Sequence, residues 1–147
     1  MFDTDSFLQG TVTGKGSTSL INIPEGEYFA TIDKIDARTV TTKNGDRVVL
    51  DLVWLIADEA VKEVTKRARN APRQTCWLDL TDSDSSLDMS EGQNIDLNRV
   101  REAVGQNHDG PWAPNDLLGQ GAYISVVHRI DKDRIFDDVK GVRSVAS

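Results

Sequence analysis

The sequence has one cysteine, Cys76, and two histidines, His108 and His128, in 147 residues. A lone cysteine excludes an intramolecular disulfide, and one cysteine with two histidines cannot assemble a Cys/His zinc centre. Aromatic residues make up only 6%, so each one placed outside a core is informative. Long hydrophobic runs are missing too. The longest covers residues 52–57, far short of the ~20 residues of a spanning helix, and no membrane association is expected. The first residues, Met1-Phe2-Asp3-Thr4-Asp5, carry acids where a signal peptide carries bases, so the expected location is the cytoplasm. No Lys-Ser/Thr pair or helix pattern follows Gly10, Gly14 and Gly16, which excludes a phosphate-cradling loop of the Walker type. No nucleophile and base stand at a recognisable spacing, and His128 falls in an apolar strand pattern as a structural or surface residue. No enzyme activity, catalytic residue or cofactor is therefore expected.

A basic excess is also lacking: the net charge is −7, and the mean field repels a polyanion. Its distribution reverses that conclusion locally. Residues 79–96 hold six acids (Asp79, Asp82, Asp84, Asp88, Glu91, Asp96) and no Lys or Arg, whereas in residues 62–73 Lys62, Lys66, Arg67, Arg69 and Arg73 face only Glu63. A bipolar chain can hold phosphate on its basic side. Within the acidic segment, Asp82, Asp84, Ser86 and Asp88 alternate like calcium-loop ligands, but Leu87 stands where that loop needs glycine and Gln93 where it needs glutamate. No metal is expected.

Residues 1–23, rich in Ser, Thr, Gly and Asp, read as an arm, flexible or loosely packed; residues 24–147 read as one domain. After the Pro24-Glu25-Gly26 turn signal, residues 27–35 suit a strand. Lys43-Asn44-Gly45-Asp46 predicts a hairpin with Asn44 and Gly45 central in a type I′ turn. A second strand over 47–56 puts Val48, Leu50, Leu52, Trp54 and Ile56 on the core face and Val49, Asp51, Val53 and Leu55 opposite. A third strand over 73–80 turns Cys76, Leu78 and Leu80 inward and Trp77 onto the polar face. A helix follows, with Asp96 as its cap, Leu97, Val100 and Val104 at helical spacing and Gly105 at its end. Strands over 122–129 and 134–145, joined by Asp131-Lys132-Asp133, complete the chain. The expected fold is mainly β: a five-stranded OB barrel with one helix between strands three and four. Element order alone also fits another small antiparallel α+β sheet.

A single-strand binding groove needs cations that track a backbone and aromatic faces on which bases stack. The candidate cations are Lys34, Arg38, Lys43 and Arg47 around the first hairpin, Lys66, Arg67, Arg69 and Arg73 before the third strand, and Arg129, Lys132 and Arg134 around the last. Trp77 is the leading stacker, since Thr75 and Asp79 beside it are polar. Phe29, flanked by Glu27 and Thr31, is the second, with Tyr123 and Phe136 behind it. Burial in the barrel is the competing reading of each ring, and a solvated surface that of the basic run. Trp54 belongs to the core.

Gly26-Glu27-Tyr28 opening a strand, the 87–92 stretch before the Ala103-Val104-Gly105 helix end, the Asp116-Leu117-Leu118-Gly119-Gln120 step and the closing Phe136-Asp137-Asp138-Val139-Lys140-Gly141-Val142 resemble bacteriophage single-stranded DNA-binding proteins. The resemblance spans residues 24–142 and rests on the order of these motifs. It implies an OB fold that coats single-stranded DNA during phage replication or recombination, with phage or host replication proteins as partners. Many such proteins end in an acidic tail, whereas this sequence ends in residues 140–147 with Lys140 and Arg143. The 79–96 segment is the candidate equivalent. A phage assembly or adaptor module that binds protein through the same face is the alternative reading, and oligomeric state stays open.

Overall fold

The computed structural model describes residues 2–81 and 86–145. Five strands close into a barrel in the order β1-β2-β3-β5-β4: β1 (Gly26–Thr42), β2 (Gly45–Ile56), β3 (Arg73–Trp77), β4 (Gly121–Asp131) and β5 (Arg134–Arg143). All pairings are antiparallel except that of β3 with β5, which meet in parallel at Arg73 and Asp138. This closure, with a helix between β3 and β4, is the OB-type barrel. Helix α1 (Thr4–Gln9) lies in the N-terminal arm, α2 (Glu59–Thr65) between β2 and β3, and α3 (Ile95–Ala103) between β3 and β4. A 3₁₀ turn spans Pro114–Leu117.

The interior follows the two-residue period. Leu50, Leu52, Trp54 and Ile56 of β2 meet Ala122, Ile124 and Val126 of β4 and Cys76 of β3 in one core, which Leu97, Val100 and Ala103 of α3 join. Each fully buried Leu, Ile or Val stabilises the barrel by about 1.5–3 kcal/mol. The buried Trp54 indole donates to Gln74 Oε1 at 3.0 Å, so its one polar atom is satisfied.

Strand β1 is longer than the alternation suggests because it changes phase. Ile32 pairs with Trp54 but Lys34 pairs with Val53, leaving Asp33 as a bulge. An extra residue flips every following side chain. Ile32 and Ile35 therefore both face inward although three residues apart, and Lys34, Asp36 and Arg38 share the outer face.

Four expectations need correction. The first hairpin forms, but its two-residue turn is Lys43-Asn44, and of the turn residues only Gly45 has positive φ, +108°. This is a tight two-residue turn whose positive φ falls on the glycine after it, and not the type I′ form. Strand β3 stops at Trp77; the chain continues with Leu78 N donating to Val48 O and an isolated bridge between Leu80 and Leu87. Helix α3 is entered through Asn94, in the left-handed region at φ 53°, with Asp96 in the first turn and not at the cap. Finally, two further helices exist: α2, capped by Asp58 and running into the start of the basic run, and α1 within the arm, capped by Asp3.

The arm is exposed from residue 2 to residue 21 and then docks. Ile23 is buried, its N–H donates to Asp137 at 3.2 Å, and Asn22 Nδ2 reaches Ile135 O and Asp137 at 3.1 Å. His128 Nε2 donates to Ile23 O at 2.6 Å, a structural role.

Candidate nucleic-acid interface

The bulge at Asp33 and the β1-β2-β3 register bring together residues far apart in sequence. On the outer face one row reads Lys34, Val53, Arg73; the next Asp36, Asp51, Thr75; the next Arg38, Val49, Trp77. Trp77 is 40% exposed, so its ring lies outside the core. The Arg47 guanidinium stands 5.2 Å from the Trp77 ring centre and also donates to Leu78 O at 3.2 Å and Asp79 Oδ1 at 3.3 Å. Five candidates (Lys34, Arg38, Arg47, Arg73, Trp77) thus share one face, and Lys43 stands at the tip of its hairpin.

Two outward positions of β2 are buried. Val49, flanked by Arg38 and Trp77, is 0% exposed, and Asp51 is 5% exposed. Asp51 accepts from Arg38 Nε at 2.6 Å and from Thr75 Oγ1 at 2.7 Å. Burial pushes its pKa up, but those hydrogen bonds and the charges of Arg38 and Arg73 outweigh burial and hold it below the usual carboxylate value. Asp51 is a fixed anion that orients Arg38.

Arg73 also lines an adjoining groove with Arg67, Arg69, Arg129 and Phe136, closed on one side by Leu20 and Asn22 of the arm. The sheet face and this groove are therefore continuous through Arg73, which lines both. Arg129 and Arg134 stand 4.6 and 5.6 Å from the Phe136 ring centre.

Other candidates lie elsewhere. Phe29 and Tyr123 pair across β1 and β4 on the stretch of β1 before the bulge, with ring centres 6.0 Å apart. Arg143 stacks on Tyr123 at 4.5 Å and bonds Glu27. They form a separate aromatic patch and do not join Trp77. Lys66, in the left-handed conformation that ends α2, is exposed and does not line the groove.

The carboxylates are not segregated from the cations. Arg38 pairs with Asp51, Arg47 with Asp79, Arg67 with Asp137, Arg69 with Asp33, and Arg129 with Asp131 and Asp138. Of the candidate cations, Lys34, Lys43, Lys66, Arg73, Lys132 and Arg134 make no salt bridge among the described residues. Of these, Lys34 and Arg73 flank Val53 in the row beside the Asp33 bulge. Sequence reading missed the acids Asp33, Asp51 and Asp137, each of which positions an arginine. The spacing of Ile32 and Ile35 was the available signal for the bulge; nothing local signals the partners.

The acidic segment is tied to the barrel at both ends. Asp79 and Asp88 accept from Asn94, and Asp88 also caps Ser90. The Asp82–Ser85 part of the calcium-like pattern lies outside the described residues. Among the described residues, no cluster of three His, Cys, Asp or Glu side chains could hold a metal, and no helix is long and apolar enough to cross a membrane.

These elements define an OB-type barrel with an aromatic and cationic outer face. No protein-family model matches the chain, and a search of curated proteins finds no significant match.

Proposed function

We propose that the chain binds single-stranded DNA without regard to sequence, and without catalysing a reaction on it, during the replication or recombination of a bacteriophage. The observation that carries this reading is Trp77: a large ring standing out from a barrel face, with a guanidinium beside it and two cations without a salt bridge, Lys34 and Arg73, two rows away on the same face. Stacking on an aromatic ring is worth about 1–3 kcal/mol per base and tolerates any base, because every base has a π-face. Arg47 meets the phosphate next to the stacked base, and Lys34 and Arg73 take the following phosphates on the way into the groove at Phe136. Host or phage replication proteins are the expected partners.

A second reading is favoured by a specific observation: five candidate arginines already hold carboxylates, which lowers the field toward a polyanion and suits a protein partner with Trp77 as anchor. Tryptophan fluorescence separates the two. Stacked bases quench Trp77, so oligo(dT) lowers the emission at low salt and added salt restores it, whereas an emission unchanged by oligo(dT) sinks the nucleic-acid reading.

A further inference from the structure

Arg101 of α3 is 3% exposed, yet no carboxylate pairs with it among the described residues. Its contacts are weak for a buried cation. Nη1 donates to Asn98 Oδ1 at 3.5 Å, the limit of a hydrogen bond; Nη2 donates to Gln106 O at 3.2 Å; Nε has no partner among the described residues. The guanidinium stacks on Trp112 with its carbon 4.3 Å from the ring centre, and Trp112 Nε1 is held by Gln106 Oε1 at 2.8 Å. A buried charge without a counter-charge is costly, and an anion that reaches it recovers that cost.

Arg101 lines an open cavity of about 890 Å³. Leu78, Leu80, Leu87, Met89 and Trp112 supply an apolar wall, and Asn98, Asn107 and His108 supply polar groups. Gly110 N donates to His108 Nδ1 at 3.2 Å, so the neutral ring carries its proton on Nε2 and is a donor. Asp109 also lines the cavity and opposes an anion, but it is exposed to solvent. One cation with no acid partner beside a wide apolar wall is the complement of a singly charged, amphipathic molecule. A bare phosphate would leave the wall empty, and an uncharged apolar molecule would leave Arg101 unpaired.

We propose that this cavity is a binding site for a small carboxylate carrying an apolar group, free or as the C-terminal residue of a peptide. The carboxylate replaces Asn98 on Arg101 Nη1, and the apolar group lies against Leu80, Leu87 and Met89. The site does not depend on Trp77, and its test is separate from that of DNA binding.

The full chain labelled with ¹⁵N is titrated with N-acetylphenylalanine, N-acetylphenylalaninamide, inorganic phosphate and a tetrapeptide ending in phenylalanine, following the three tryptophan indole resonances assigned by single Trp→Phe variants. N-acetylphenylalanine is expected to shift the Trp112 indole and leave Trp77 in place, and to bind about tenfold or more tighter than its amide or phosphate, the scale of one charge-assisted hydrogen bond. A tighter tetrapeptide assigns the site to a chain end, and equal binding to a free carboxylate. Arg101→Met abolishes the preference for the acid. If that variant does not fold, Met89→Ser, which removes apolar contact at an exposed position on the wall without adding charge, must weaken binding of N-acetylphenylalanine about fourfold or more, the scale of one buried methylene. No Trp112 shift up to about 10 mM, equal binding of acid and amide, or phosphate binding as tightly as the acid each overturns the proposal.

Discussion

Asp79 and Asn94, fifteen residues apart, hold each other by three hydrogen bonds: Asp79 N to Asn94 Oδ1 at 2.8 Å, Asn94 N to Asp79 Oδ2 at 2.8 Å, and Asn94 Nδ2 to Asp79 O at 2.9 Å. The same Asp79 carboxylate receives Arg47, whose guanidinium lies by Trp77. An acidic loop that looks in sequence like surplus negative charge therefore anchors the arginine beside Trp77.

Asn94→Ala tests that relationship. It leaves Asp79 N, Asp79 O and Asp88 O without their partner in a site where Asn94 is 1% exposed, and it places alanine in the left-handed region. Urea unfolding should show a loss of about 3 kcal/mol or more. A loss below about 1 kcal/mol means the clamp carries little.

Asp51 predicts a pH dependence. Its folded pKa lies below its unfolded value, so the stability it contributes is fully present above the ordinary carboxylate value of 3.8 and is lost as pH falls through the lowered folded value. Asp51→Asn should be less stable than the parent chain near neutral pH, with the difference shrinking below about pH 4. Equal stability of the two at neutral pH contradicts the assignment of Asp51 as the anion that holds Arg38.

Cys76 is fully buried on β3 and its pKa is pushed up to about 12, chiefly by burial. A thiol reagent at about pH 8 should leave the folded chain unmodified and label it rapidly in denaturant. Fast labelling of the folded chain would mean that β3 opens, and with it the row that carries Trp77.

Much of the barrel is legible in the sequence because it rests on a local signal, the two-residue period. Trp54, Ile124 and Val126 fall inside, and Trp77 outside, as alternation requires. The Asp58 and Asp3 caps were equally local, and Val61 and Thr65 at a spacing of four mark the buried side of α2, but a short helix in a basic run competes with the loop reading. What sequence could not provide was long-range: Arg69 finds Asp33 across thirty-six residues, and Asp137 anchors an arm that begins more than a hundred residues earlier. The division of the cations into paired and unpaired sets, which singles out Lys34 and Arg73, exists only once the barrel closes. The aromatic candidates divided for the same reason, since the pairing of β1 with β4 carries Phe29 away from Trp77.

In the proposed complex a base stacks on Trp77 and phosphates sit on Lys34 and Arg73. The most direct measurement is the affinity of the full chain for oligo(dT), duplex DNA and RNA of equal length at two ionic strengths, repeated with Trp77→Ala and with Lys34→Ala/Arg73→Ala. Expected are a preference for the single strand over the duplex, a loss of about 1–3 kcal/mol for Trp77→Ala, and for the double variant a salt slope shallower by about 1.4, or about 0.7 per phosphate contact. Equal binding of duplex and single strand, or an affinity and salt slope untouched by these substitutions, would contradict it.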